Sequence, residues 1–194
     1  MNKVAQRLVE YVIHKGVIKK EESTEYVYGF TVALEMCLSL IVSFIIAYKL
    51  HMIVEGIFFF AVFIPIRSYA GGLHFKQYYL CFILSCLTFS TVMLISSLLT
   101  WNMVYELIIF CALELIIYVL YPVENVNRIV DSEENAYFKR KLEKYLLVDF
   151  VIALIFFILK KEKYLVLIVV TLSLVIVTMS IGKIKNKNLN YKRM

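Results

Sequence analysis

Proline and glycine are nearly missing from this chain, at 2 and 6 of 194 residues. So few helix breakers exclude a fold built from many turns and favour long uninterrupted helices. Charge is scarce too, at 19% of residues, and there is none between residues 77 and 105. The chain has no HExxH motif, no glycine-rich phosphate loop and no CxxC pair, which removes the common zinc-protease, nucleotide and zinc-ribbon chemistries. Its cysteines (Cys37, Cys81, Cys86, Cys111) are scattered through apolar segments, so neither a disulfide framework nor a zinc site is expected. The histidines (His14, His51, His74) have no ligand spacing between them. Basic residues are spread over connections rather than gathered on one element, which excludes a nucleic-acid module.

What the chain does have is apolar surface. Hydrophobic residues make up 61% of it and the mean hydropathy is +0.78. Soluble domains average about 45–50% apolar residues. The apolar runs are continuous, not alternating, so a β-barrel is disfavoured. The expected class is an all-α polytopic bundle in the cell membrane, with the lipid bilayer as its solvent.

Six spans are predicted, over about 28–48, 52–66, 78–100, 103–121, 145–159 and 164–182. A full crossing takes about 20 apolar residues, so the second, ending near Pro65, and the fifth are short. Residues 1–25 mix charged and apolar positions, and no cleavable leader is expected there. Val4, Leu8, Tyr11 and Val12 share one helical face, which predicts an amphipathic helix on the membrane surface. The whole reads as one domain over 1–194: an interfacial segment (1–27), a bundle (28–182) and a basic tail (183–194). With a cytosolic N-terminus, the inside segments hold 17 of the 21 Lys and Arg residues. That bias predicts both termini in the cytosol. Lys49, Lys160, Lys161 and Lys163 are the exceptions and would lie outside.

One stretch carries chemistry. Arg67-Ser68-Tyr69-Ala70-Gly71-Gly72-Leu73-His74 precedes Cys81 at the mouth of the third span. A thiol and an imidazole are the minimum for a cysteine nucleophile with its own proton acceptor. On one continuous helix they would share a face but stand about 10.5 Å apart along the axis. The pairing therefore requires a backbone reversal, which Gly71 and Gly72 permit. Their amides could serve a developing oxyanion, and Arg67 could hold an anionic group. The same residues admit a plainer reading: Cys81 as a small apolar residue, His74 as a chance neighbour and Arg67 as a positive-inside anchor. Three acids fall within spans, Glu35, Glu114 and Asp149. Each is readable as the group that orients His74 or as a helix–helix contact.

The spacing of Arg67, Gly72, His74 and Cys81 resembles the core of the accessory gene regulator protein B (AgrB) family. The short Pro-ended span before it, Tyr121-Pro122-Val123-Glu124-Asn125 and the basic region that follows extend the resemblance over most of the chain. It implies a membrane cysteine endopeptidase of quorum sensing, with Cys81 as nucleophile and His74 as base. The substrate would be a small precursor peptide with an acidic C-terminal tail, cut through a Cys81 thioester and cyclised to a thiolactone or lactone. It implies a homodimer as well, and no cofactor. The basic cytosolic face fits an acidic partner. Two other classes remain open on the residues alone, a small transporter using the intramembrane acids and a peptide-binding membrane partner without catalysis.

Overall fold

The computed structural model describes residues 2–71, 78–122 and 132–191. These residues form helices joined by short connections, with no strand among them. The helices are α1 (Asn2–His14), α2 (Ser23–Lys49), α3 (Ile53–Ala70), α4 (Tyr78–Leu98), α5 (Met103–Leu120), α6 (Ser132–Ile158) and α7 (Glu162–Tyr191), with a 3-10 turn at Lys20–Glu22. Helices α2, α3, α4, α5 and α7 are each long and apolar enough to cross a membrane. The protein is a polytopic helical membrane bundle.

The long α7 is the hub. It packs against α3, α4, α5 and α6, and Leu165, Leu167, Ile168, Leu172, Val175 and Met179 are fully buried along it. Its residues recur on more than one face, as expected of a helix surrounded by others. In contrast α2 keeps Val32, Met36, Ile41, Phe44 and Ile45 open on the outer surface. In a membrane protein that surface meets lipid tails and carries no penalty.

Two antiparallel registers set the depth of each residue. Phe58 meets Phe156 edge-on at 5.3 Å, and Tyr69 stacks on Tyr145 at 5.5 Å. The two pairs are eleven residues apart on each helix, so α3 and α6 run side by side for about 16 Å. Across the opposite side of α3, Phe60 stacks on Phe89 of α4 at 5.3 Å. Near this contact, Gly56 lets α3 approach closely: a Cβ there would lie 3.1 Å from the Ala47 Cβ of α2 and 3.2 Å from Phe89.

Several boundaries depart from the sequence-based expectation. Helix α3 does not end near Pro65 but runs on to Ala70. Proline removes one ladder hydrogen bond, yet Ile66 and Ala70 are buried and the packing of the last turn holds the helix together. Arg67 is therefore on a helix, not in a loop. Helix α6 begins at Ser132 and not near residue 145, so the polar region expected as a connection is partly helical. Leu142, Leu146, Asp149 and Ala153 form its buried stripe at helical spacing. The charged first half keeps α6 off any purely apolar criterion for a span, although it lies alongside α3 through the same depth. Helix α7 continues to Tyr191, so most of the expected basic tail is helical. Lastly, α1 does not rest on the surface alone. It buries Ala5 and Val9 against α2 and leaves Val4, Leu8 and Tyr11 open.

Candidate functional site

Cys81 and Arg67 sit at the same end of the bundle because the Phe60–Phe89 stack fixes the register of α3 and α4. Arg67 is seven residues past Phe60, and Cys81 is eight residues before Phe89. Both steps are about two helical turns, taken in the same direction along antiparallel helices. The half-buried Arg67 guanidinium is accordingly within electrostatic reach of the partly buried Cys81 thiol. Two residues separate Arg67 from Tyr69, a rotation of about 200°, so the face bearing Arg67 is turned away from α6.

Gly71 closes α3 with φ 81° and ψ −166°. That combination is one that only glycine adopts without strain. It diverts the chain immediately after the turn carrying Arg67. Gly72 and His74 lie outside the described residues. The chain re-enters helix at Tyr78, three residues before Cys81.

The four cysteines are free thiols, with Cys37 and Cys111 on the outer surface and Cys81 and Cys86 partly buried. Cys86 is five residues beyond Cys81, about 140° around α4, and so faces elsewhere. Among the described residues no group of three His, Cys, Asp or Glu side chains converges as a metal site. Two surface clefts, of about 520 Å³ beside Glu22, Tyr26 and Gly29 and about 480 Å³ beside Trp101 and Tyr105, involve neither Arg67 nor Cys81.

The neighbouring end of α6 frames this region. Tyr69 stacks on Tyr145 and meets Phe138 edge-on at 5.9 Å. The Tyr121 hydroxyl reaches both the backbone carbonyl (2.9 Å) and Oδ1 (2.6 Å) of Asn135, and burial raises its phenol pKa above the usual value. Lys183 Nζ donates to the Leu120 carbonyl at 3.3 Å, completing the end of α5. Lys139 lies over the Tyr118 ring at 5.3 Å and Lys141 over Tyr137 at 5.4 Å. Cationic side chains therefore crowd the same end as Arg67.

The three intramembrane acids lie on three different helices. Glu35 is on α2, which packs on α1, α3 and α4. Glu114 on α5 and Asp149 on α6 lie within electrostatic reach of each other, on the side of α3 away from Arg67. Sequence reasoning passed over Glu106, which is 1% exposed with neither carboxylate oxygen hydrogen-bonded. It also passed over Glu55, which pairs with Lys163 at 2.7 Å. Both occupy the first turn of a helix, where an acid reads as an ordinary polar boundary, and only packing shows them to be covered.

No curated protein and no solved structure matches the chain. The family model for accessory gene regulator B matches residues 2–181, which include Arg67, His74, Cys81, helices α1 to α6 and the first two thirds of α7. The chain belongs to the AgrB family of quorum-sensing proteins.

Proposed function

We propose that the protein is a membrane cysteine endopeptidase that removes the C-terminal tail of a small precursor peptide and closes the remainder into a ring. The observation that carries this reading is the placement of the Cys81 thiol opposite the Arg67 guanidinium, at the two helix ends joined by the segment that contains His74. Family membership supports the quorum-sensing setting.

In this mechanism the His74 imidazole takes the Cys81 proton, and the thiolate attacks the carbonyl carbon at the cleavage site. Arg67 compensates the negative charge on sulfur before attack. The Gly71 and Gly72 amides donate to the oxyanion of the tetrahedral intermediate. Collapse breaks the C–N bond, and the leaving amine takes the proton held by His74. The N-terminal part of the peptide stays on Cys81 as a thioester. A thiol or hydroxyl within that peptide then loses its proton to His74 and attacks the thioester. The ring closes as a thiolactone or lactone, and the Cys81 thiolate is released and reprotonated. Thioester exchange conserves the acyl activation that hydrolysis would discard, so the site must restrict water during closure. The Lys and Arg side chains at this end, which we place in the cytosol, suit an acidic tail on the precursor. No metal or nucleotide enters any step.

The test is co-expression with the tagged precursor, with tail release followed by mass spectrometry. Cys81→Ala and His74→Ala are expected to abolish release, and Cys86→Ala to keep it. Undiminished release in Cys81→Ala would end the endopeptidase reading at this site.

A further inference from the structure

The Glu114–Asp149 pair has no part in the chemistry above, and its surroundings are unusual. Asp149 is only 5% exposed on the buried stripe of α6, and among the described residues it has no hydrogen-bond or ion-pair partner. Glu114 of α5, another acid, is within electrostatic reach, and its Oε1 is buried without a hydrogen-bond partner.

No cation on the surrounding helices answers this pair. On α7 there is no charged residue between Lys163 and Lys183, and Lys183 is engaged with the Leu120 carbonyl. On α3 there is none between Glu55 and Arg67; Glu55 is paired with Lys163 and Arg67 faces Cys81. The nearest charges along α6 are Lys144, which is exposed, and Lys160 beyond the far end of the helix. On α5 the other charge is Glu106, again an acid. Nor do the hydroxyls of α7 serve. Thr171, Ser173 and Thr178 each donate to a carbonyl of their own helix. Fully buried Phe110, stacked on Phe150 at 6.3 Å, lies between Glu106 and the pair.

Two carboxylates facing each other in an apolar bundle cannot both stay ionised without a positive charge between them. We propose that Glu114 and Asp149 form a buried binding site for one monovalent cation, H+ or Na+. The two candidates share one chemistry: a single positive charge held between two carboxyl groups. The Phe110–Phe150 stack closes the site toward Glu106, so the ion exchanges from the end of the bundle at Tyr121 and Asn135. Occupancy holds α5 against α6. Loss of the ion leaves like charges facing each other and loosens the contact.

The test uses the full-length protein in detergent and an apolar carbodiimide. The reagent adds to a protonated carboxyl and rearranges to a stable N-acylurea, read by peptide mass spectrometry. Labelling at Glu114 or Asp149 is expected at neutral pH, falling as pH rises. Suppression by NaCl but not by KCl assigns Na+ as a competing occupant; labelling indifferent to both salts assigns the proton. Asp149→Asn should move the fall of Glu114 labelling to lower pH, because the like-charged neighbour is gone. Should that variant fail to fold, the salt and pH dependence of labelling in the native protein carries the test. Absence of adduct on both acids in folded protein would overturn the proposal, as would an unmoved Glu114 profile in Asp149→Asn. Neither readout depends on peptide cleavage, so the result is independent of the endopeptidase reading.

Discussion

A thiol at the start of a membrane helix becomes a nucleophile only when the negative charge it develops is compensated. Arg67 supplies a fixed positive charge within reach of Cys81. Arg67→Ala is therefore expected to slow both iodoacetamide alkylation of Cys81 and precursor processing by about tenfold, which is ~1.4 kcal/mol at the barrier. Arg67→Lys keeps a charge but loses the planar fork, and should recover part of the rate. A defect in processing alone would show that Arg67 serves the substrate and not the thiol. Gly71 makes a separate demand. Its backbone angles are reserved for glycine, so Gly71→Ala should cost about 1–3 kcal/mol, paid locally where the chain leaves α3. Processing should fall while α3–α7 remain folded, as judged by helical circular dichroism. At this scale much of the site was legible in sequence: a lone Arg, a double glycine, a His and a Cys stand out against an apolar background. Glu106 and Glu55 were not legible, because their covering comes from other helices.

Helix contacts here are made by small residues and aromatic rings, since lipid gives apolar side chains no reason to seek one another. Gly56 shows the consequence. Its missing Cβ is what lets α3 meet Ala47 and Phe89 so closely that an added Cβ, at 3.1 and 3.2 Å, would need these neighbours to give by a few tenths of an ångström. Gly56→Ala should lower stability by about 1 kcal/mol and Gly56→Val by more. Gly29, in α2, has nothing within 4 Å of an added Cβ. Gly29→Ala should raise stability by up to about 1 kcal/mol through helix propensity alone. Thermal unfolding in detergent checks the pair, and equal effects of the two alanine substitutions would contradict the packing described. The hydrophobic runs revealed the elements but misplaced their ends. Pro65 reads as a stop in sequence, yet buried neighbours carry α3 one turn beyond it. The charges before residue 145 read as a connection, yet they form the first turns of α6. Hydropathy reports solvent, whereas both of these boundaries are set by packing.

The topology of the whole molecule turns on α6. Its charged first half makes it the weakest span by composition, and a hairpin of α6 and α7 that fails to cross would put the Lys160–Lys163 turn on the same side as both termini. The ring contacts argue otherwise. Phe58–Phe156 at one end and Tyr69–Tyr145 at the other place α6 beside α3 over most of the length of α3, which is itself apolar enough to cross. A helix in that position reaches the far surface, where Lys163 meets Glu55 at the start of α3. The apolar stems of Lys160, Lys161 and Lys163 can lie along the bundle while their ammonium groups reach water. Single cysteines in a background without the native four would decide the matter. Lys160→Cys in intact cells should react with a membrane-impermeant maleimide, while Asn190→Cys and Lys15→Cys should react only after permeabilisation. Labelling of all three from the same side would mean that α6 and α7 form a non-crossing hairpin. Labelling of Lys15→Cys and Asn190→Cys from opposite sides would mean that one of the six bundle helices does not cross.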